Sequence, residues 1–159
     1  MPTELVIRRA RAGDALRIAE MSRDLIESGL GWSWTVPRVL RSLGDAQTNV
    51  VVALAAGQRI GFAIMKYHDD EAHLLLLAVR SAAGRRGVGT ALVEWLEKAA
   101  LVAGVGQVYL EARVTNSAAR AFYKRLGYSE IQLVPGYYQG REASVRLAKD
   151  LWAERPTLA

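Results

Sequence analysis

The feature of this sequence that most constrains its fold is a series of three strand-like runs separated by turns of hairpin length. The first run, residues 49–55, is rich in β-branched side chains and ends at the turn Ala56-Gly57-Gln58. The second run covers residues 60–67, and Asp69-Asp70 leads into the third, residues 72–79. Runs of this length joined by short turns are typical of adjacent antiparallel strands. The middle of the chain is therefore predicted to form an antiparallel meander.

A glycine-rich turn, Gly84-Arg85-Arg86-Gly87-Val88-Gly89-Thr90, follows the meander and opens an amphipathic helix over residues 88–103. Gly87 and Gly89 let the backbone approach a ligand closely, and the first N–H groups of a helix are unpaired donors with partial positive charge. Arg85 and Arg86 add full charges beside them. The turn therefore predicts a cradle for a phosphate or pyrophosphate. A plain tight connection between strand and helix would need the same glycines, so the turn alone leaves both interpretations open.

Other glycine-rich signatures fit this turn poorly. A nucleoside-triphosphate P-loop would place a Lys-Ser or Lys-Thr pair directly after it, and this sequence has none there. The dinucleotide fingerprint would follow the first strand of a parallel βαβ unit, whereas this turn follows an antiparallel meander.

A second block, residues 110–128, combines a strand, a polar helix cap and a helix that ends at Gly127. Asn116 lies at the cap, and Tyr123 lies seven residues later within the helix. The chain also predicts a first strand at residues 5–7, a helix that Gly13-Asp14 is expected to cap and that continues through Ser28, and a short helix beginning at Pro37. Two final strands are predicted, with a turn at residues 136–140 between them. The predicted order is therefore β-α-α-β-β-β-α-β-α-β-β. This order predicts an α+β fold with one mixed sheet and helices on its faces.

Composition excludes several classes of protein. The chain has 159 residues, 51% of them apolar and 23% charged, which is ordinary for one globular domain. No apolar run reaches the roughly 18–20 residues that a membrane span needs. The start, Met1-Pro2-Thr3-Glu4, lacks the basic and apolar regions of a signal peptide. We therefore expect a cytoplasmic protein that does not bind membranes.

Two further exclusions follow from residue counts. The sequence contains no cysteine, which removes disulfides, thiolate metal sites and a cysteine nucleophile. Its net charge of +5 would suit nucleic acid or a polyphosphate ligand, but the arginines are spread along the chain. We expect no nucleic-acid partner and no metal.

The two blocks, residues 77–89 and 110–128, resemble the GNAT superfamily of acyl-CoA-dependent N-acyltransferases, and the similarity runs from Leu5 to Leu151. The resemblance implies the GNAT fold, a mixed and mostly antiparallel sheet of about seven strands with about four helices on its two faces. It also implies one acetyltransferase domain over residues 1–151, with residues 152–159 as a C-terminal tail.

The resemblance implies where the donor, acetyl-CoA, would bind. The strand that carries Leu77-Ala78-Val79 would splay from the next parallel strand, and the pantetheine arm would lie in the gap. Backbone groups near Ala78 and Val79 would pair with that arm, and one N–H would polarise the thioester carbonyl. Asn116 would help to position pantetheine. The pyrophosphate would be held by the backbone of Arg85, Arg86, Gly87, Val88, Gly89 and Thr90.

Acyl transfer to an amine needs a neutral nucleophile, a stabilised oxyanion and a proton for the departing sulfur. The resemblance assigns that last proton to Tyr123, which would also contact the donor. Its alternative interpretation is a half-buried helix tyrosine beside Phe122. No acyl-enzyme is expected, because the chain lacks a cysteine nucleophile and shows no Ser-His-Asp arrangement.

Within the superfamily the sequence is most similar to the ribosomal-protein alanine N-acetyltransferases, which acetylate a protein N-terminus. That likeness places the catalytic base at Glu111 and acceptor-binding aromatic side chains at Trp32, Trp34, Tyr137 and Tyr138. A salt-bridged strand residue is the alternative interpretation of Glu111. Glu71, His73 or a water molecule could serve as the base instead, and the aromatic residues could belong to the core or its rim.

The sequence thus predicts an N-acetyltransferase that moves an acetyl group from acetyl-CoA to a primary amine by direct attack. A protein N-terminus is one candidate acceptor, and a small amine such as a polyamine, amino acid or aminoglycoside is another. A non-catalytic acyl-CoA-binding module is the alternative from a different class of protein. The resemblance also allows a homodimer.

Overall fold

The computed structural model describes residues 4–81, 87–138 and 142–153. Within these residues seven strands and four α-helices follow one another in the predicted order. The strands are β1 (Leu5–Arg9), β2 (Thr48–Ala55), β3 (Gln58–Tyr67), β4 (Glu71–Val79), β5 (Gln107–Arg113), β6 (Ser129–Tyr138) and β7 (Glu142–Asp150). The helices are α1 (Ala15–Met21), α2 (Val36–Leu43), α3 (Val88–Val102) and α4 (Ser117–Arg125). None of the helices in these ranges is long and apolar enough to cross a lipid bilayer.

The strands form a seven-stranded sheet in the order β1-β2-β3-β4-β5-β7-β6. The pairs β1/β2, β2/β3, β5/β7 and β6/β7 are antiparallel, whereas β4 and β5 run parallel. The parallel register sets Glu71 beside Gln107 and His73 beside Tyr109. This mixed, mostly antiparallel sheet confirms the predicted fold class.

The described residues cluster into two compact units, of which the first comprises Met1–Lys66 and Leu74–Lys98. Its apolar core joins α1 and α2 to the strands through Ala15, Ile18, Ala19, Met21, Trp34, Val39, Val50, Val52, Phe62, Ile64, Leu76 and Ala78. Close strand packing in this unit depends on Gly61. A Cβ there would come within 2.9 Å of the backbone oxygen of Ala78, so a larger residue would push β3 away from β4.

The second unit comprises Tyr67–His73 and Ala99–Ala159. Along β5, buried side chains alternate with less buried ones, as expected for a strand with one face in the core. Leu110 pairs with Leu147 and Ala112 with Val145, and all four are buried. The alternation directs the polar side chain of Glu111 to the opposite face of the sheet.

The end of β7 is tied to the helix–strand connection before β5. Leu151 is buried, and its backbone N–H donates to the oxygen of Gly106 at 2.7 Å. The ring of Trp152 lies where a Cβ on Gly106 would be, so glycine is required for this contact. The boundary between a domain of residues 1–151 and a tail of residues 152–159 stays a prediction.

The prediction for the first helix was wrong in two respects. The helix was expected to continue through Ser28, but α1 ends at Met21 and a π-helical segment, Ser22–Ile26, follows it. Asp14 occupies the expected N-cap position of α1, but its side chain makes no hydrogen bond to the first turn of that helix. Its oxygens instead accept hydrogen bonds from two arginine side chains and from the backbone N–H of Arg11. Guanidinium groups are the stronger partners of a carboxylate, which explains the difference.

The turn predicted at residues 136–140 was also misplaced. Strand β6 continues through Gly136 to Tyr138, which pairs with Glu142. The register shifts between Val134 and Tyr138, and Gly136 has a positive φ of 67°. A glycine in this conformation suits a bulge that bends the strand without ending it.

Candidate active site

A row of polar side chains crosses one face of the second unit. The register sets Glu111 of β5 opposite Arg146 of β7, and Arg146 opposite Gln132 of β6. On the other side of β5, His73 of β4 lies beside Tyr109. The row is built from β4, β5, β7 and β6 in that spatial order, and their polar residues are far apart in sequence, so only the sheet topology brings these side chains together.

The centre of this row is Glu111, whose side chain is 2% exposed. Its Oε1 lies 2.7 Å from Nε2 of His73, and its Oε2 accepts a hydrogen bond of 3.0 Å from Nε of Arg146. The imidazole of His73 is 17% exposed, and the side chain of Arg146 is 33% exposed. The buried carboxylate therefore has a permanent cation on one oxygen and a titratable ring on the other. We refer to His73, Glu111 and Arg146 as the carboxylate–histidine cluster.

Tyr109 fixes the plane of the imidazole. The rings of His73 and Tyr109 are stacked, with centroids 4.3 Å apart and planes 16° from parallel. The guanidinium carbon of Arg146 lies 5.4 Å from the centroid of the Tyr109 ring. Burial raises the pKa of Tyr109, and the negative charges of Glu71 and Glu111 raise it further. The phenol of Tyr109 is therefore uncharged at neutral pH.

The hydrogen-bond pattern assigns the tautomer of His73. An ionised carboxylate only accepts hydrogen bonds, so Nε2 must carry the proton in its bond to Glu111. The lone pair of the neutral ring then lies on Nδ1. Across the described ranges, Nδ1 of His73 makes no hydrogen bond. The ring thus presents a proton acceptor on the side away from Glu111.

Helix α4 carries the other predicted catalytic groups. Asn116 caps the helix, because its side-chain oxygen accepts a 3.0 Å hydrogen bond from the N–H of Ala119. Tyr123 is 7% exposed and meets Phe122 and Tyr128 edge to face. Its backbone oxygen accepts from the N–H of Tyr128 at 3.0 Å, which closes the end of the helix. The phenol ring of Tyr123 is thereby held in an aromatic cluster.

The predicted donor site falls on the first unit. Gly87 has a φ of 75°, a conformation that favours glycine, and its oxygen accepts from the N–H of Ala91 at 3.0 Å. This bond begins the ladder of α3, so the N–H groups of Val88, Gly89 and Thr90 have no partner within the helix. Among the described residues, chain neighbours and the helix's own backbone aside, no atom lies within 4 Å of a Cβ placed on Gly87. Arg85 and Arg86 lie outside the described residues.

The strand before this turn presents the other predicted donor contacts. In β4, Leu77 and Val79 are half-buried and alternate with the buried Ala78. His73 occupies the same, less buried, set of positions in this strand as Leu77 and Val79. One strand therefore carries both the predicted donor contacts and the imidazole.

Of the predicted acceptor aromatics, Trp32 and Trp34 differ sharply. Trp34 is 8% exposed, belongs to the core of the first unit and has the guanidinium of Arg38 3.9 Å above its ring. Trp32 is 42% exposed, with the guanidinium of Arg23 5.5 Å from its ring. The alternation in this loop thus sends one indole inward and leaves the other available to an acceptor. The backbones of Tyr137 and Tyr138 lie in β6, but their side chains are outside the described residues.

Glu27, which sequence reasoning missed, holds this loop in place. Its buried carboxylate accepts hydrogen bonds from the hydroxyl of Ser22 at 2.8 Å and from both the N–H and the hydroxyl of Ser33 at 2.7 Å. The N–H of Trp34 adds bonds of 3.3 and 3.2 Å to its two oxygens. Burial opposes ionisation of Glu27, but these hydrogen bonds outweigh it and lower its pKa. No local sequence signal marked Glu27, because its partners lie five to seven residues away and meet it only after the chain reverses.

Arg146 was also missed by sequence reasoning. No signal distinguished it, because an arginine between Val145 and Leu147 is the ordinary alternation of a strand with one buried face. Its partner could not be identified, because that required the register between β5 and β7.

Comparison with known families decides what kind of protein carries these residues. The model of the acetyltransferase (GNAT) family matches residues 19–128, more than half of the chain. The chain belongs to the GNAT acetyltransferase family. The match covers both of the sequence blocks that carried the predicted resemblance, and it includes Glu111 and Tyr123.

Individual relatives agree with this assignment. The ribosomal protein bS18-alanine N-acetyltransferase of Escherichia coli strain K12 is 38% identical over 95 residues, 58% of this chain and 64% of that enzyme. That match therefore spans less than two thirds of the relative's length. An N-alpha-acetyltransferase of Sulfurisphaera tokodaii is 28% identical over 161 residues, covering 93% of this chain and 94% of the relative.

Solved structures give the same result for the fold. The crystal structure of the ribosomal-protein-S18-alanine N-acetyltransferase from Escherichia coli matches with a TM-score of 0.81 at 25% identity. The alignment covers 98% of this chain and 99% of that one. The predicted recognition is thereby confirmed, including the likeness to the ribosomal-protein alanine enzymes.

Proposed function

We propose that this GNAT chain is an acetyl-CoA-dependent N-acetyltransferase that acts on a primary amine by direct attack on the thioester. The observation that carries the proposal is the 2.7 Å contact between the buried carboxylate of Glu111 and the imidazole of His73. Such a pair can remove a proton from an ammonium group, which a module that only binds acyl-CoA would not need. Tyr123 supplies the complementary acid.

The proton balance of the reaction fits these groups. The amine arrives as an ammonium, and the carboxylate–histidine cluster takes one proton so that nitrogen gains a lone pair. Nitrogen then attacks the thioester carbon, the C–N bond forms and the C–S bond breaks. Tyr123 gives its hydroxyl proton to the departing sulfur and recovers one from the same nitrogen. The products are an amide, a thiol and one proton that the cluster returns to water.

The donor would be held mainly by backbone groups. Open N–H groups at the start of α3 and the positive φ of Gly87 suit a pyrophosphate, since neither depends on a charged side chain. Arg85 and Arg86 would add charge, and the backbone of Ala78 and Val79 would meet the pantetheine arm. Contacts from Asn116 would use its amide NH2, because its oxygen caps α4. The full proposed set is Leu77, Ala78, Val79, Arg85, Arg86, Gly87, Val88, Gly89, Thr90, Asn116 and Tyr123.

A protein N-terminus is the proposed acceptor. Two of the relatives named above are an alanine N-acetyltransferase of a ribosomal protein and an N-alpha-acetyltransferase. The half-exposed indole of Trp32 offers a flat surface that can meet a cationic amine or an apolar first residue. Tyr137 and Tyr138 are proposed to complete the acceptor wall, whereas the core position of Trp34 leaves it a supporting role.

The test is a thiol-release assay with acetyl-CoA and a panel of acceptors. It compares peptides with free N-terminal alanine, the same peptides with a blocked N-terminus, a polyamine and an aminoglycoside. We expect turnover only with the free N-termini. Turnover with the small amines alone would show that the acceptor is a small amine and not a protein N-terminus. Acetyl-CoA binding without turnover on any acceptor would show that the chain is a binding module and not an enzyme.

The role of Tyr123 has a matched control in the same aromatic cluster. Tyr123→Phe should lower kcat by about 100-fold, the ordinary contribution of a general acid, while acetyl-CoA affinity measured by calorimetry stays unchanged. Tyr128→Phe removes a hydroxyl from the neighbouring ring, whose centroid lies 5.7 Å from that of Tyr123, and should keep most of the activity. Equal turnover in the wild type and Tyr123→Phe would show that Tyr123 is not the general acid.

A further inference from the structure

We propose that His73 is the catalytic base of this chain and that Glu111 is a positioning residue that acts through it. The inference rests on the proposed acetyl transfer and names the group that accepts the amine proton. It differs from the role that sequence resemblance implies, in which Glu111 itself takes the proton. The carboxylate–histidine cluster supplies three independent reasons.

The first reason is access. A direct base must come within hydrogen-bond distance of the proton that it removes, alone or through one water. The side chain of Glu111 is 2% exposed, and each of its oxygens already has a partner. An amine could reach it only by displacing His73 or Arg146. The imidazole lies on the exposed side of that contact, since its own side chain is 17% exposed.

The second reason is charge. Arg146 keeps its positive charge at every pH of interest, and its Nε is 3.0 Å from Oε2 of Glu111. An ion pair of this length favours the ionised carboxylate and opposes a proton on it. Glu111 is therefore a stable hydrogen-bond acceptor for Nε2–H but a poor base for the amine proton. Protonation of His73 instead creates an imidazolium beside an anion that is already in place.

The third reason is orientation. Tyr109 stacks on the imidazole from β5, and the hydrogen bond to Glu111 fixes the rotation of the ring. Together these contacts leave the lone pair of the neutral ring on Nδ1 and fix the direction in which it points. A carboxylate that orients an imidazole and stabilises its charged form is a general way to prepare a histidine base.

Among the described residues, the charged and titratable groups near His73 each have a defined part. Glu111 and Tyr109 approach from β5, Arg146 approaches from β7, and Glu71 lies two residues earlier on the same face of β4. In the proposed step the ammonium loses one proton to Nδ1, and the Nε2–H bond to Glu111 stays in place. The imidazolium is neutralised by Glu111 until the proton passes to water after product release.

The test compares His73→Gln with His68→Gln. Glutamine keeps a hydrogen-bond donor for Glu111 but cannot take a proton, so kcat should fall about 100-fold. The acid limb of kcat should move to higher pH, towards the ordinary range of an α-amino group at about 7.7–8.0. His68 is exposed at the turn before β4 and lies outside the cluster. Its substitution should change neither quantity.

Two further variants keep the outcome decisive. In His73→Ala, added imidazole should restore part of the turnover, which a purely structural role would not allow. Glu111→Gln should lower kcat less than His73→Gln and retain an acid limb, because the histidine remains. An unchanged kcat in folded His73→Gln, or no imidazole rescue, would overturn the assignment. A wild-type protein that transfers no acetyl group to any acceptor would instead overturn the proposed function.

Discussion

Two buried carboxylates in this protein have nearly the same exposure and quite different partners. The side chains of Asp14 in the first unit and Glu111 in the second are each 2% exposed. Asp14 is bound by two arginines, Arg8 at 2.8 Å and Arg59 at 2.6 Å. Glu111 is bound by one arginine and one histidine.

The difference lies in whether the partners can change their charge. Both partners of Asp14 are permanent cations, and the backbone N–H of Arg11 adds a third hydrogen bond at 2.7 Å. Burial opposes ionisation of Asp14, but the bonds from Arg8, Arg11 and Arg59 outweigh it and hold its pKa well below the usual range. Such a cluster cannot exchange protons near neutral pH and serves to join β1 to β3. In the carboxylate–histidine cluster one partner can gain and lose a proton, which suits catalysis.

The largest expected effect on stability is from Asp14→Asn. It leaves two arginines facing an uncharged side chain, and breaking a buried pair in this way should lower the free energy of unfolding by about 3 kcal/mol. Urea denaturation would measure the loss, and kcat of the folded protein should be preserved. Asp24→Asn is the matched control, because its pair with Arg23 is exposed and should contribute little to stability. Equal losses from the two variants would contradict a structural role for the Asp14 cluster.

The same cluster predicts a pH dependence. The folded-state pKa of Asp14 lies below the unfolded value, about 3.9, so its stabilisation is complete above that pH. It is lost as the pH falls through the lowered folded-state value. Wild-type stability should therefore drop more steeply than that of Asp14→Asn on acidification below pH ~4. Parallel curves for the two proteins in acid urea titrations would contradict this assignment.

A third buried carboxylate sharpens the comparison, since Glu27 is bound by neutral donors among the described residues. Glu27→Gln places an NH2 group against donors and should cost about 2 kcal/mol, within the range for hydrogen bonds to a charged group. It should also release the loop of residues 29–34, visible as faster proteolysis there and a raised KM for the peptide acceptor. A raised KM for acetyl-CoA with an unchanged acceptor KM would contradict the proposed place of Trp32.

Removal of Arg146 should affect stability less than removal of Asp14, because His73 can gain a charge to compensate. Arg146→Met should cost less than Asp14→Asn, because the buried carboxylate of Glu111 keeps its hydrogen bond to His73. Loss of the positive charge favours a protonated imidazole, so the acid limb of kcat should move to higher pH. Arg146→Lys keeps the positive charge, so the acid limb of kcat should lie close to its wild-type pH. A limb at the same pH in all three proteins would show that the cluster does not govern the reaction.

The smallest effect is expected from Glu130, an ion-paired carboxylate at the surface. Hydrogen bonds from Arg120 lower its pKa to about 2, and Lys124 contributes further. Its side chain is partly exposed, so water and salt screen the pair. Glu130→Gln should cost about 0.5 kcal/mol at low salt and almost nothing in 1 M salt. A loss as large as that of Asp14→Asn would show that exposure does not separate the two classes of carboxylate.

Much of the fold followed from local sequence patterns. The meander, the helix after the glycine turn and the helix closed by Gly127 have strong periodicity and clear ends, and the structure has them within two residues of the prediction. The two local errors, at Asp14 and at Gly136, have a common cause. Each residue has a strong local preference, for a cap or a turn, that a tertiary partner or strand pairing overrides.

The candidate site was only partly predictable for a related reason. Glu111 and His73 were both identified as candidate bases, Glu111 from the likeness to the ribosomal-protein alanine enzymes and His73 as an alternative on the preceding strand. Their 2.7 Å contact could not be predicted, since it depends on the parallel register of β4 and β5. Arg146, which limits what Glu111 can do, was missed altogether. Sequence thus supplied the chemical groups, and the pairing of strands decided which of them can exchange a proton.

The most direct test of His73 as the base is to determine its tautomer by nitrogen-15 NMR of the imidazole. The chain has two histidines, so His68→Gln leaves the signals of His73 alone. The neutral ring is expected to carry its proton on Nε2 and its lone pair on Nδ1, and Glu111→Gln should weaken this preference. A neutral ring protonated on Nδ1 would contradict it, because the nitrogen proposed to accept the amine proton would then already hold one.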